Sequence, residues 1–200
     1  MLTFAAAVFL LIVTPGPGVL TTAGVGAAYG YRIGFRYVLG LFLGTNLVGL
    51  AVITGFAAFV LTLPYVRLVL TILSFGYLMY LAAKIAFAGS NLAFIKATRE
   101  PNVATGVMLQ IINPKAYAVN TALYTGFAFY PDNWMIEVGT KIVISNLIWI
   151  PIHIAWLWAG VSLTKLSLSA GKQRMINYAM AAALVGVVVL AIIAAQSHRI

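Results

Sequence analysis

Apolar residues run in long blocks along this chain, with polar residues gathered between them. Six blocks reach the ~20 mostly apolar residues that a membrane-crossing helix needs: about 2–28, 37–62, 66–88, 103–130, 136–163 and 174–196. The third holds Arg67 and Lys84 near its ends, where long basic side chains can snorkel toward water. Connections are short except around 89–102, from Gly89-Ser90-Asn91 to Arg99-Glu100-Pro101-Asn102, near the chain midpoint. The pattern predicts an all-α integral membrane protein of six transmembrane helices in one domain spanning 1–200.

Composition supports this and narrows the class. Of the 200 residues, 63% are apolar and 8% charged, with mean hydropathy +1.04. Soluble domains are about half apolar and a quarter charged, so a soluble fold is excluded. The net charge of +9 would suggest nucleic acid in a soluble protein. Here no nucleic-acid partner is expected, because basic residues mark the cytoplasmic ends of membrane helices. Lysines and arginines on the odd connections and their flanks are Arg32, Arg36, Lys84, Lys96, Arg99, Lys165, Lys172 and Arg174; the other side has Arg67, Lys141 and Arg199. This asymmetry puts the odd connections in the cytoplasm and both termini outside. No charged side chain occurs through Tyr31, so a cleaved signal peptide is not expected. The chain has no cysteine, which removes disulfides and thiolate chemistry.

The two halves echo one another. Thr14-Pro15 is matched by Asn113-Pro114, 99 residues on, and Thr45-Asn46-Leu47 by Ser145-Asn146-Leu147, 100 residues on. Three spans per half, an odd number, would make the halves (about 1–95 and 101–200) inverted-topology repeats, as in many secondary transporters.

Candidate chemistry sits at two helix breaks. Thr14-Pro15-Gly16-Pro17-Gly18 should interrupt span one, since proline lacks an amide donor and clashes with the preceding turn. Asn113-Pro114-Lys115 does the same in span four. Thr or Asn as N-cap with Pro at the first helical position can start a new half-helix in each, at Thr14-Pro15 and at Asn113-Pro114. Two such N-termini make an anion site suited to a substrate carboxylate. Lys115 lies ~12 residues into its span, near mid-membrane, where lysine is read as functional. It could hold that carboxylate or change charge during transport. Gln110, Asn113, Tyr117, Asn120 and Tyr124 recur at helical spacing and predict one polar face. That face would line a cavity or hydrogen-bond another helix. Asn146, Trp149, His153 and Trp156 repeat the spacing in span five. His153 is a structural hydrogen-bonder or a proton-coupling group. Asn46 and Asn146 are packing contacts or cavity walls. Gly26, Gly30, Gly34, Gly40 and Gly44 allow close helix approach, within the chain or in a homodimer.

No acidic residue lies mid-span, no metal site or cofactor is expected, and there is no phosphate-binding GxxxxGK[ST] loop. No serine–histidine–acid set supports an enzyme.

These motifs carry a resemblance. The chain resembles the lysine-exporter type (LysE/RhtB) family of bacterial inner-membrane amino-acid exporters over essentially its whole length. The resemblance rests on Thr14 to Gly18, the glycines from Gly24 to Gly44, Gly76-Tyr77-Leu78-Met79-Tyr80-Leu81, and Asn113-Pro114-Lys115-Ala116. It implies export of amino acids or related metabolites driven by an ion gradient. The chain departs from the family's usual pattern at Gly18, where many members have Asn, and at Asn146, where many have an acid. Tyr124-Thr125-Gly126-Phe127 also lacks the usual proline.

The sequence is therefore expected to encode an exporter of a small neutral amino acid embedded in membrane lipid. Carboxylate binding falls to Thr14–Gly18 and Asn113–Lys115. Substrate ammonium would find acceptors in freed carbonyls near Val13, in Asn113 or Gln110, or in a tyrosine hydroxyl such as that of Tyr117. The rivals are export of another small solute or ion, and a non-transporting structural or regulatory membrane subunit.

Overall fold

The computed structural model describes residues 1–87, 100–165 and 169–197, and all regular structure there is helical. The helices are α1 (Leu2–Val13), α2 (Pro17–Ile53), α3 (Phe56–Thr62), α4 (Pro64–Ala86), α5 (Val103–Ile112), α6 (Pro114–Thr125), α7 (Trp134–Lys165) and α8 (Ala170–Ser197). The expected boundary between the halves, with Lys96 and Arg99, and the terminal Arg199 lie outside the described residues.

Among the described residues two helices are long and apolar enough to cross a membrane, Pro17–Ile53 and Trp134–Leu163. Leu2–Val13 and Val103–Ile112 are shorter apolar helices. Polar side chains are drawn in beside the apolar core, and large apolar side chains face outward. Thr22, Gln110, Asn113, Lys141 and His153 are buried, while Leu2, Phe9, Tyr65, Phe87, Met135 and Leu147 point outward. Such a surface suits hydrocarbon, where backbone polar groups must be satisfied internally.

α2 is a hairpin. Gly30, with φ 75° and ψ −173°, interrupts its helical backbone in a region open almost only to glycine. The Tyr37 hydroxyl donates to Thr21 Oγ1 at 2.9 Å. Sixteen residues of straight helix would hold these side chains ~24 Å apart, so the chain has folded back. The expected connection at 29–36 thus contracts to a single non-helical residue.

Small residues let the remaining helices close on this hairpin. A Cβ on Gly40 would strike the Val103 backbone, and one on Gly106 would lie 2.5 Å from the Tyr37 carbonyl oxygen. α2 and α5 therefore meet backbone to backbone. Gly26 and Gly34 both face Leu157, and Gly160 faces the Ala23 backbone, which seats α7. The glycine spacing serves packing within the chain, except at Gly30, which serves the bend. Val25, Tyr37, Leu41, Leu109, Trp149 and Leu157 fill the space between. α4 packs chiefly on α8.

Asn102 starts α5 through a capping box: its side chain accepts from the Thr105 amide at 3.1 Å, and Thr105 Oγ1 accepts from the Asn102 amide at 2.9 Å. The chain between α6 and α7 is tied down by Lys141. Its Nζ donates to Glu137 Oε1 at 2.8 Å and to the Tyr124 and Phe127 carbonyls. Glu137 Oε2 in turn accepts from the Phe129 and Tyr130 amides at 2.9 and 2.7 Å. Phe4 of α1 lies edge-on to Phe127 at 5.5 Å. Lys141, expected as a flank charge, is instead a buried clamp satisfied by acceptors of its own chain.

Candidate functional site

Both expected helix breaks are present, and they face one another. α1 ends at Thr14, whose backbone is extended (φ −57°, ψ 126°) and whose Oγ1 donates back to the Leu10 carbonyl at 2.6 Å. α2 then starts with Gly16 as N-cap and Pro17 as first helical residue. The expected start at Thr14-Pro15 is therefore displaced by two residues. Either proline could open a helix. The structure uses Pro17 and leaves Pro15 in the break. In span four the break falls where expected: Asn113 (φ −82°, ψ 108°) closes α5 and caps α6, with Pro114 first.

The two new N-termini differ. Gly16 supplies no side-chain cap, so the amides of Gly18 and Val19 have no acceptor in the helix's own cap. Asn113 satisfies its end: Oδ1 accepts from the Lys115 amide at 3.1 Å, and its carbonyl accepts from the Ala116 amide at 3.0 Å. Its Nδ2 donates to Gln110 Oε1 at 2.9 Å.

Lys115 bridges the breaks. Its Nζ donates to the Thr14 carbonyl at 2.6 Å, at the C-terminal end of α1, where the helix dipole favours a cation. A Cβ on Gly16 would meet the Lys115 stem at 2.8 Å, so glycine there leaves the lysine its path.

Between the breaks lies a cavity that encloses about 690 Å³ of space, open solvent at its mouth included. Eleven of the expected site residues line it: Thr14, Gly16, Pro17, Gly18, Asn46, Gln110, Asn113, Lys115, Asn120, Asn146 and His153. Pro15, Pro114 and Tyr117 do not. The continuous polar face expected from Gln110 to Tyr124 is broken because Asn113 is extended, not helical. α6 consequently presents Ala116, Val119, Asn120, Leu123 and Tyr124 to the cavity, and Tyr117 falls off that face. The lining holds no carboxylate.

Thr45, Tyr124, Ser145 and Trp149 also line the cavity and were not singled out as site residues. A signal existed for each. Thr45 and Ser145 precede the repeated asparagines, Tyr124 ends the span-four polar series, and Trp149 belongs to the spacing around His153. Asn46 and Asn146 are both wall and packing contact. Each donates its Nδ2 to the other's Oδ1, at 3.2 and 3.0 Å, across the 100-residue offset. Asn120 Nδ2 is turned to its own helix, donating to the Ala116 carbonyl at 2.8 Å.

His153 is 3% exposed and stacks on Trp149 with ring centroids 3.5 Å apart. Its Nδ1 lies 3.0 Å from the Trp149 carbonyl. A carbonyl only accepts, so Nδ1 carries the proton and Nε2 is left as an acceptor. Among the described residues no three histidines, aspartates or glutamates gather to hold a metal ion.

The arrangement offers helix-end amides and a cation to an anion, with no carboxylate in the lining. No curated protein and no solved structure matches the chain. Residues 9–195 match the family model for the LysE type translocator, and over nearly its whole length the chain belongs to the LysE type translocator family.

Proposed function

We propose that the protein is a secondary transporter exporting a small neutral amino acid from the cytoplasm, driven by an ion gradient, with protons the first candidate. Family membership supports a multi-pass membrane translocator for amino acids or similar solutes. Six spans fit the helices: α1 with the first arm of α2, the second arm with α3, α4, α5 with α6, α7, and α8. They read as two inverted three-helix repeats in one domain, with the Asn46–Asn146 pair joining equivalent positions.

One observation carries the substrate reading. The uncapped start of α2 and the Lys115 ammonium share a cavity whose walls bear no carboxylate. Helix N-termini are ready-made carboxylate sites. With no acidic wall, a second substrate cation, as in lysine or arginine, would go unmatched.

Efflux from proteoliposomes loaded in turn with neutral, basic and acidic amino acids tests this, with and without an imposed pH gradient. Saturable efflux of neutral amino acids that responds to the gradient is expected. Absence of efflux for every amino acid from folded protein overturns the reading.

A further inference from the structure

A carboxylate site accounts for only one end of a zwitterion. Several of the acceptors that the sequence offered for the ammonium already hold a donor. The Thr14 carbonyl accepts from Lys115 Nζ, Asn113 Oδ1 from the Lys115 amide, and Gln110 Oε1 from Asn113 Nδ2. Tyr117 does not line the cavity.

A further acceptor lies beside Gly18. A methyl group built on Gly18 would lie 3.5 Å from His153 Nε2 and 3.8 Å from Gln110 Nε2, in ordinary van der Waals contact with both. The missing side chain therefore leaves a niche on the first turn of α2, walled by two side chains that are each more than nine-tenths buried. Neither wall is free to reverse its polarity. The Trp149 carbonyl holds the proton on His153 Nδ1 and keeps Nε2 an acceptor. The N-cap of α6 orients Gln110 through Asn113, so that Nε2, a donor, points to the niche. Donors thus converge from the Gly18 and Val19 amides and Gln110, with one acceptor beside them.

We infer that Gly18 and His153 select for the substrate's α-ammonium: the carboxylate lies on the first turn of α2 and Gln110 Nε2, and the ammonium donates to His153 Nε2. This rests on the amino-acid reading above and adds to it. The site would reject carboxylic acids that lack the amine, because a buried imidazole nitrogen would then be left unpaired.

The test is binding to the purified full-length protein in detergent, read by the fluorescence of Trp149 and its neighbours. The twenty common amino acids are titrated first. The tightest is then compared with its des-amino acid and its 2-hydroxy acid (propionate and lactate, if it is alanine). Wild-type protein should hold the amino acid at least ~10-fold more tightly than either analogue. Gly18→Ala fits sterically and suits a helix, so it should fold normally. It should bring that preference to within ~2-fold, because the methyl covers His153 Nε2, whatever it does to carboxylate binding common to all three ligands. His153→Phe should do the same.

An unchanged preference in Gly18→Ala overturns the niche and leaves the exporter reading standing. So does equal wild-type binding of the amino acid and either analogue. Binding of no amino acid by wild-type protein overturns both.

Discussion

The two helix breaks use the same device, an extended residue followed by proline at the first helical position, yet their ends have opposite fates. At Gly16-Pro17 the first-turn amides have no side-chain cap. At Asn113-Pro114 they are taken, by Asn113 Oδ1 and by its carbonyl. The first end is open to a ligand. The second is internally complete, and through Asn113 and Gln110 it orients a donor toward the first. Two helix ends can face one cavity, and the N-cap residue of each decides which is left open and which is internally satisfied.

The sharpest way to break this comparison is at the residue spanning both ends. Lys115→Glu replaces the cation with an anion beside the open end. A unit charge at ~4 Å is worth ~4 kcal/mol at an effective dielectric of ~20, so efflux of carboxylate substrates should fall by more than ~100-fold. Membrane insertion should be unaffected, as blotting of the membrane fraction will show. Unchanged efflux would remove Lys115 from the site.

Next comes the conversion of the open end into a closed one. Gly16→Asn supplies the missing cap and crowds the Lys115 stem. Substrate affinity should fall on the order of 10-fold or more, the scale of losing a charge-assisted hydrogen bond. Binding at wild-type affinity would mean that the α2 amides are not used.

Asn113→Ala should show the reverse profile. It removes a cap worth ~1 kcal/mol and strips the buried Gln110 Oε1 of its donor, at about 1–3 kcal/mol more. Thermal unfolding should register the larger change, with affinity falling only a few-fold. A loss of binding as deep as that of Gly16→Asn, at unchanged stability, would make the second end a binding end too.

The smallest effect is at Asn46 and Asn146. Single changes to Ala should each destabilise, and the double-mutant cycle should give a coupling of ~0.6 kcal/mol, typical of interhelical polar pairs in membranes. Zero coupling would mean that the reciprocal amide bonds do not hold the halves together.

Much of this was legible in the sequence because proline, glycine and buried polar residues have few uses in an apolar helix. The breaks, Lys115 and the Asn46–Asn146 correspondence all stood out on that ground. What could not be read was decided by contacts or by single torsions. Pro15 and Pro17 are equally able to start a helix, and the structure uses Pro17. Helical spacing counted Tyr117 with Asn113 only by assuming an unbroken helix through a residue that is extended. The bend at Gly30 was hidden because helical residues flank it directly, and seven of the eight residues that looked like a connection continue the two arms.

That bend also limits how the molecule can move. A loop of several residues would let its flanking helices slide or tilt independently. One glycine, reinforced by the Tyr37–Thr21 bond, leaves the arms of α2 no slack. If access to the cavity alternates between the two sides of the membrane, the arm that begins at Pro17 must carry its partner with it as a single lever. The motion must then be taken up elsewhere, at the breaks and at the Thr54-Gly55 step that follows the second arm.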